Sequence, residues 1–308
     1  MHKNFVTNTV LMIEPVSFQM NEETVKSNYY QKQDDRIPSN QVQQLALEEF
    51  LGLKEILQSN GIQVISIKDT ISPFTPDAIF PNNWISFHRN EKVVLYPMLA
   101  ENRRKERRLD ILDTIALSGF KYRKISDYAS FETENKFLEG TGAMVLDRKN
   151  NIAYCSLSSR ADKSLFMQFC SENKYKPVTF TSFQTVENSR KPIYHTNVMM
   201  SVGADYAMIC LDAIDDLSER EKVLLSLKNS GKEIIKLSED QIASFAGNTL
   251  LLKGNNSDII VMSNQAKKSL TEEQILQLEK FGKIVSISIP TIEKFGGGSV
   301  RCMLAEIL

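Results

Sequence analysis

Two residues far apart in the sequence, a cysteine and a histidine, have side chains that can carry out chemistry together. Cys302 follows the glycine run 296–298, and glycines allow a backbone to approach a ligand closely. His195 directly precedes an apolar stretch, where an isolated histidine is otherwise an ordinary structural residue. A thiol reacts as its thiolate, and an imidazole can hold that thiolate and move protons. The pair therefore predicts nucleophilic catalysis, whereas the alternative for a lone thiol is a small buried side chain.

Two carboxylates and two amides stand in similar surroundings. Asp77 and Glu139 each precede an apolar segment, although either residue alone could be an ordinary turn residue. Asn83 comes six residues after Asp77, and Asn197 comes two residues after His195. These four polar side chains are candidates for orienting a substrate beside the thiol.

Five polar residues recur at intervals of 51 to 58 residues. They are Asn83, Glu139, Asn197, Asn248 and Cys302. The apolar pattern between them predicts a unit of two short strands, an amphipathic helix and a third strand, which appears about five times. Equivalent positions of such units converge in a ring, so these residues are expected to line one pocket.

The clearest unit spans residues 197–237, and its helix is expected to begin with a capping box at 218–221. A second capping box is expected at 271–274. The predicted strands are 10–14, 63–67, 84–88, 93–96, 122–125, 144–147, 152–156, 176–180, 198–202, 206–211, 233–237, 249–253, 258–262 and 284–289. The other predicted helices cover about 40–59, 103–118 and 161–172.

The predicted fold class is α/β, with five ββαβ modules in a pseudo-fivefold propeller. A last strand, 300–307, is left over, and it can close the ring by pairing with the first module. The alternative is an open α/β sheet with coincidental spacing, which the hairpin-like turns inside each unit disfavour. No Pro-, Gly- or Ser-rich linker divides the chain, so one domain over 1–308 is expected.

Composition excludes several classes of partner. The 308 residues carry 37 basic and 38 acidic side chains, and the formal charge of −1 argues against binding to nucleic acid. No apolar run is long enough to span a membrane, and the first residues do not form a signal peptide, so a cytoplasmic location is expected. The scattered cysteines and few histidines predict no metal site and no other cofactor. The mixed charges of 101–108 predict a solvated helix face.

The ordered set of motifs resembles the guanidino-group modifying enzymes. These are arginine deiminases, dimethylarginine hydrolases and amidinotransferases, which fold as five-module α/β propellers called penteins. The resemblance covers nearly the whole chain. The matching residues are, in order, Asp77 to Trp84, Glu139 with Gly140-Thr141-Gly142, His195, and Cys302 behind its glycine run.

The resemblance implies a role for each of these side chains. Cys302 would be the nucleophile and His195 the general acid and base. Asp77 and Glu139 would be carboxylates that orient the substrate. Arg160 ends a Ser-Leu-Ser-Ser-Arg stretch that is similar to the family segment supplying an arginine for the substrate carboxylate.

Two departures from the family pattern bear on the substrate. Family enzymes that act on a guanidinium usually carry carboxylates where this chain has Asn83 and Asn197. Those carboxylates normally hold a buried cation, which is costly to bury without partners. Amides offer both donors and an acceptor, which suits a neutral ureido group. The pattern therefore looks like the citrulline-hydrolase subgroup often labelled amidinotransferase.

Three hypotheses follow for a small-molecule amino-acid substrate. The first is a hydrolase that converts citrulline to ornithine, carbon dioxide and ammonia through a covalent S-carbamoyl intermediate. The second keeps the enzyme class but uses a guanidino substrate, as a deiminase, a dimethylarginine hydrolase or an amidinotransferase. The third is a non-catalytic pentein that binds a partner, which the presence of both Cys302 and His195 disfavours. The sequence leaves the substrate, any second acceptor and a homo-oligomeric state open.

Overall fold

A computed structural model describes residues 5–34, 36–89 and 91–308 of the chain. Its helices are α1 (Ser39–Ser59), α2 (Glu101–Arg104), α3 (Ile111–Leu117), α4 (Gly140–Ala143), α5 (Lys163–Asn173), α6 (Thr196–Met199), α7 (Leu217–Asn229), α8 (Glu239–Ala243), α9 (Asn264–Ser269) and α10 (Glu272–Glu279). Its strands are β1 (Thr9–Glu14), β2 (Gln63–Lys68), β3 (Ile85–His88), β4 (Lys92–Leu95), β5 (Lys124–Asp127), β6 (Val145–Asp147), β7 (Ile152–Ser156), β8 (Lys176–Phe180), β9 (Phe183–Val186), β10 (Ser189–Pro192), β11 (Met200–Val202), β12 (Tyr206–Ile209), β13 (Glu233–Lys236), β14 (Leu250–Lys253), β15 (Asp258–Ser263), β16 (Lys283–Ile287) and β17 (Ala305–Ile307).

The described strands form small sheets that share one topology. Four three-stranded sheets have the orders β3-β4-β5, β6-β7-β8, β11-β12-β13 and β14-β15-β16, and a fifth has the order β17-β1-β2. In every one, the middle strand pairs antiparallel with one neighbour and parallel with the other. The last strand completes the first sheet, with Thr9 opposite Ile307. Strands β9 and β10 form a separate hairpin.

The parallel pair in each sheet is joined by a helical connection that packs on the sheet, because parallel strands need a crossover. Helix α1 is the longest of these connections. Its buried face has helical spacing and consists of Val42, Ala46, Phe50, Leu53 and Leu57. This face belongs to a core cluster that also contains residues of β1, β15 and the segment around Cys302. The core therefore continues directly beneath the glycine run.

Three of the recurring polar residues lie in helical turns rather than in strands, namely Asn83, Asn197 and Cys302. The strand predicted at 198–202 begins only at Met200, because Thr196–Met199 form helix α6. The hydroxyl of Thr196 fixes this turn by donating to the carbonyl of Ala143 at 2.5 Å and accepting from the amide of Ser156 at 2.8 Å.

The strand predicted at 300–307 is shortened in the same way. Residues Val300–Met303 form a 3₁₀ turn, and only Ala305–Ile307 are a strand. The turn carries Cys302 before the chain joins the first sheet. The backbone amide of Cys302 donates to the carbonyl of Ser299 at 2.9 Å.

The helix predicted over 103–118 is divided, and its first part is not a solvated face. Helix α2 ends at Arg104 and α3 begins at Ile111. Arg103 and Glu106 are 2% and 3% exposed, which contradicts the interpretation of 101–108 as surface. Their side chains form a two-pronged ion pair, at 2.8 Å and 2.9 Å, that points into the protein. The charges are therefore buried as a pair.

The capping predictions have different outcomes. The box at 271–274 is present, with Thr271 and Gln274 satisfying each other's backbone amides. The box at 218–221 is absent, because the cap of α7 lies two residues earlier than predicted: Asp216 caps the helix by accepting from the amide of Glu219. Asp216 therefore takes the capping position that was predicted for Ser218.

Two further observations bear on the expected partners. No helix within the described ranges is long and apolar enough to cross a membrane. The same residues contain no group of three or more His, Cys, Asp or Glu side chains arranged to hold a metal ion.

Candidate active site

The predicted site residues gather around one cavity. It has a volume of about 260 Å³ counted to its mouth, and we call it the site cavity. Five of the seven predicted residues line it, namely Asp77, Asn83, Arg160, His195 and Cys302. The other two, Glu139 and Asn197, lie behind the wall, where they bond to His195 and Cys302 respectively.

Cys302 is 5% exposed, and its sulfur is held by two amides. Asn248 Nδ2 lies 3.2 Å from Sγ, and Asn197 Nδ2 lies 3.4 Å from it. The orientation of Asn248 is fixed because its Oδ1 accepts from the backbone amide of Arg301 at 3.0 Å. Two N–H donors are therefore directed at one sulfur and hold it in place.

The glycine run provides the space in which Cys302 meets the cavity. Gly297 has a φ of +61°, a left-handed conformation that a residue with Cβ adopts reluctantly. A Cβ at Gly298 would lie 3.0 Å from the ring of Phe80 and 3.3 Å from the Cβ of Cys302. Any side chain in this run would therefore narrow the approach to the thiol.

His195 is joined to Glu139 by a hydrogen bond of 2.7 Å from Nε2 to Oε2. An ionised carboxylate only accepts, so this bond puts the proton on Nε2 and leaves Nδ1 as the free base. Burial lowers the pKa of His195 to about 4, although Glu139 acts in the opposite direction. The imidazole is thus neutral at neutral pH and ready to accept a proton.

Glu139 is fully buried, and both of its oxygens are engaged. Oε1 accepts from the amide of Leu99 at 3.0 Å, and Oε2 also lies 3.4 Å from Arg160 Nη1. Burial alone would raise the pKa of Glu139, but Arg160 and His195 together hold it well below its usual range. Glu139 therefore acts on His195 rather than reaching into the cavity.

Asp77 is 2% exposed and keeps one oxygen without a hydrogen-bond partner among the described residues. Its Oδ2 accepts from Asn21 at 2.8 Å and from Thr24 at 3.0 Å. Burial raises the pKa of Asp77, and the guanidinium of Arg103, 3.8 Å away, opposes that shift. A buried acceptor on a cavity wall is suited to a donor from a ligand.

Arg103 is a side chain of the site cavity that the sequence did not reveal. It lines the site cavity, and its Nη1 donates to Asn83 Oδ1 at 2.8 Å. Because a guanidinium only donates, this contact fixes the amide of Asn83. Asn83 Nδ2 then points away from Arg103 and donates to Asn82 at 3.0 Å. The only sequence signal was its spacing of three from Glu106 on a helix.

Gly142 brings Asn83 and His195 together. A Cβ at this glycine would lie 2.4 Å from Asn83 Nδ2 and 2.9 Å from His195 Nδ1. The two nitrogens therefore share the space over one glycine, which explains why the segment after Glu139 carries small residues. The side of Asn83 that faces His195 consists of N–H donors.

Arg160 is held by the segment that precedes α1. Its Nη2 donates to Ser27 Oγ at 2.7 Å and to the carbonyl of Thr24 at 3.1 Å. Its guanidinium lies 4.9 Å from the ring centroid of Tyr194, a cation–π distance. Arg103 and Arg160 thus supply two positive charges to the wall of the site cavity.

Family comparison assigns the chain. The model for eukaryotic N,N dimethylarginine dimethylhydrolases matches residues 14–308. The chain belongs to this family. It is accordingly a member of the pentein superfamily of guanidino-modifying enzymes and a hydrolase of carbon–nitrogen bonds. No curated protein sequence matches it.

Solved structures share the fold at low sequence identity. The N-terminal domain of ArgZ, an arginine dihydrolase of the ornithine–ammonia cycle in cyanobacteria, has a TM-score of 0.72 and 16% identity, covering 97% of each chain. AgrE crystallised with L-arginine has a TM-score of 0.72 and 15% identity, covering 97% of this chain but 40% of its own. The dimethylarginine hydrolase of Pseudomonas aeruginosa in complex with citrulline has a TM-score of 0.64 and 14% identity, covering 98% and 99%. At these identities the likeness establishes the fold.

Proposed function

We propose that this protein hydrolyses the ureido group of citrulline to give ornithine, carbon dioxide and ammonia. The orientation of Asn83 carries the proposal. Its oxygen is occupied by Arg103 at 2.8 Å and one of its N–H groups by Asn82 at 3.0 Å, so the amide offers its other N–H group next to His195. A ureido group has a carbonyl oxygen that accepts from this N–H group, whereas a guanidinium has only N–H groups and would meet donor with donor.

The charges on the cavity wall support the same substrate. Of the described residues that line the site cavity, Asp77 is the single carboxylate, and Arg103 and Arg160 are both cations. Asp77 already has Arg103 at 3.8 Å. Glu106 and Glu139, which pair with Arg103 and Arg160, do not line the cavity. Asp77 would therefore be the carboxylate available to a substrate guanidinium, and a buried cation without a partner of its own is costly.

The same wall suits the amino-acid end of the substrate. Arg103 and Arg160 would bind the α-carboxylate, because guanidinium groups pair with carboxylates through parallel hydrogen bonds. The free Oδ1 of Asp77 would accept from the α-ammonium group. Fixing both ends in this way sets the distance at which the ureido carbon reaches the thiol.

The proposed mechanism uses a thiol ester of carbamic acid. The Cys302 thiolate, held by Asn197 and Asn248, attacks the ureido carbon, and the bond to the side-chain nitrogen of the substrate breaks. His195 accepts the thiol proton at Nδ1 and gives it to that nitrogen, so ornithine leaves. Water, deprotonated by His195 Nδ1, then attacks the S-carbamoyl group and releases carbamate, which decays to carbon dioxide and ammonia.

Glu139 is proposed to position the base. It holds the proton on Nε2 of His195, and its negative charge stabilises the imidazolium formed during each proton transfer. Glu139 is not among the residues that line the site cavity, so we propose this role in place of the substrate-orienting one that the resemblance implied. Asn197 contacts the sulfur, and we propose that it positions the sulfur rather than binding the substrate.

A guanidino substrate is the second candidate. Its support is the family match to dimethylarginine hydrolases and the fold shared with an arginine dihydrolase. Under this alternative the ornithine product could come from arginine, and two equivalents of ammonia would be released. The two candidates differ in which compound is turned over fastest.

We also propose that the five three-stranded sheets close into a ring around the site. The support is that first strands of different sheets are neighbours: β17 lies beside β3, β6 beside β11, and β11 beside β14. A ring of this kind would form a single domain over 1–308. It would also bring equivalent positions of all sheets to the axis, where the recurring polar residues meet.

A substrate panel tests the function. Purified protein is assayed with citrulline, arginine and dimethylarginine, and ornithine, citrulline and ammonia are quantified. The expected kcat/KM for citrulline exceeds that for arginine by a factor on the order of 10², the scale of one mismatched buried hydrogen bond to a charged group. Equal or faster turnover of arginine would refute the ureido assignment.

The variant Asn83→Asp tests whether the amide of Asn83 sets the substrate preference. A carboxylate still accepts from Arg103 but loses the N–H donors, so the preference for citrulline should narrow at least tenfold, on the order of 1.4 kcal/mol. Asn256→Asp changes the net charge equally at an exposed site and should leave the preference unchanged. An unaltered preference in Asn83→Asp would remove this amide from substrate recognition.

A further inference from the structure

A second cavity lies next to the site cavity, separated from it by residues that contact the thiol. It has a volume of about 580 Å³ including its open mouth, and we call it the arginine cavity. Cys302 lines the site cavity, whereas the preceding residue, Arg301, lines the arginine cavity. Asn197, which donates to Cys302 Sγ, is also on the wall of the arginine cavity.

Two buried guanidinium groups face this cavity and share one carboxylate. Arg148 and Arg301 are each 8% exposed. Glu306 lies between them, with Oε1 at 3.4 Å from Arg148 Nε and Oε2 at 3.1 Å from Arg301 Nη2. The charges of Arg148 and Arg301 overcome the effect of burial and lower the pKa of Glu306. The trio therefore carries one positive charge in excess.

The other charges on the wall do not supply the missing anion. Asp147 pairs with buried Lys232 at 3.0 Å, and Lys149 pairs with Asp205 at 2.5 Å. Each of these pairs is neutral in itself. The excess positive charge of the arginines is thus left uncompensated within the part of the chain that the structure describes.

One of the arginine donors is also unused. Arg148 Nε is buried and has no hydrogen-bond partner among the described residues, although it forms the ion pair with Glu306. Buried polar groups without partners are rare, and a charged donor is especially costly to leave unsatisfied. Burial and the neighbouring Arg148 also act to lower the pKa of Arg301, with Glu306 opposing them. All of these features favour an acceptor that carries negative charge.

We propose that the arginine cavity binds a small oxyanion of the carboxylate or phosphate class between Arg148 and Arg301. The hydroxyls of Ser201 and Thr249 lie 2.8 Å from each other on the same wall, so one donates to the other and the pair provides at most one further donor. Binding there would put an anion on the far side of Asn197 and Arg301 from Cys302. The site is separate from the one that binds the amino-acid substrate.

A neighbouring surface groove is the competing location for an anion. Arg148 also borders this groove, together with Lys92, Lys124 and Lys174. Lys124 borders the groove but not the arginine cavity, and Arg301 borders the cavity but not the groove. The two locations can therefore be separated by substitution.

The test measures binding of inorganic phosphate and of acetate separately, at constant ionic strength set with chloride. The thermal unfolding midpoint is recorded against anion concentration, since a ligand of the folded state raises it by mass action. The wild-type midpoint should rise with at least one of the two anions. The anion that acts at the lower concentration identifies the class, and no rise with either would overturn the proposal.

Substitutions locate the binding. Arg148→Gln and Arg301→Gln should each weaken the apparent affinity at least tenfold, while Lys124→Gln and the exposed, charge-matched Arg123→Gln should keep it within about twofold. Unchanged affinity in Arg148→Gln would overturn the proposal, as would an equal loss in Lys124→Gln. If Arg301→Gln does not fold, Arg148→Gln compared with Lys124→Gln still decides the location.

Discussion

Glu293 gives the loop before Cys302 an anchor that depends on pH. Its carboxyl is 4% exposed, and Oε1 accepts from Ser299 Oγ at 2.7 Å. Burial raises the pKa of Glu293 to about 7 from an ordinary value of 4.5, and hydrogen bonds from Ser263 and Ser299 only partly oppose the shift. The residue lies in the π-helical turn Ile292–Gly296, which leads directly into the glycine run. Its ionisation therefore acts on the segment that positions the thiol.

The sign of the effect follows from the raised pKa. A carboxyl that holds its proton more tightly in the folded state contributes full stability below its unfolded pKa, and that stability is lost as the pH rises through the folded value. A shift from 4.5 to about 7 corresponds to roughly 3 kcal/mol at 1.36 kcal/mol per pKa unit. About 2.5 kcal/mol of this falls between pH 5 and pH 8.

Glu293→Gln isolates this contribution, because the amide keeps the shape of the protonated acid and does not titrate. The free energy of unfolding is measured by urea denaturation at pH 5, 6.5 and 8. Relative to wild type, the variant should gain about 2.5 kcal/mol from the lowest to the highest pH. Glu279→Gln, at an exposed position, should show no such trend. A difference between Glu293→Gln and wild type that stays constant with pH would refute the reasoning.

Four further outcomes are expected from the site. Cys302→Ala should lose at least about 10³-fold in kcat with an unchanged unfolding midpoint, while the control Cys210→Ala keeps turnover. A residual rate above about a tenth of the wild-type rate would contradict a covalent nucleophile. The acid limb of kcat/KM should lie at about pH 4, because protonated His195 cannot accept a proton, and a limb near its ordinary value would argue against the buried base. Glu139→Gln should move that limb to lower pH and reduce kcat by about 10²-fold, since the imidazolium loses its counter-charge; an unmoved limb would separate the two residues. Asn248→Ala should slow alkylation of Cys302 by iodoacetamide several-fold, and an unchanged rate would mean that the amide does not stabilise the thiolate.

The repeating architecture was predictable because it is encoded locally. Turns such as 203–205 separate apolar runs too short for helices, and an amphipathic stretch follows each pair of runs. The resulting topology of an antiparallel and a parallel neighbour appears in every three-stranded sheet. Boundaries were less accurate where a helical turn precedes the first strand, as at Thr196–Met199, because tertiary hydrogen bonds from Thr196 set that turn.

The polar contacts of the site were less predictable, because they depend on residues that are distant in sequence. Arg103 belongs to a run of mixed charges typical of a surface helix, yet its guanidinium is buried between Glu106 and Asn83. The stretch before α1 has no periodicity, although Thr24 and Ser27 bind the predicted site residues. A charged side chain that is buried because of a tertiary partner does not alter the hydrophobic periodicity of the sequence, so the sequence pattern does not reveal it.

The segment that holds Asp77 and Arg160 contributes Thr24 to the wall of the site cavity. Thr24 donates to the carboxylate and its carbonyl accepts from the guanidinium, so one short stretch offers both a donor and an acceptor, as an α-amino acid does. An incoming molecule must return as many hydrogen bonds as it displaces, or binding costs more than it yields. Under the proposed function, a compound that carries the reacting group without both an ammonium and a carboxylate would return fewer hydrogen bonds than it displaces. Selection for the amino-acid end of the proposed substrate would then come before any chemistry begins.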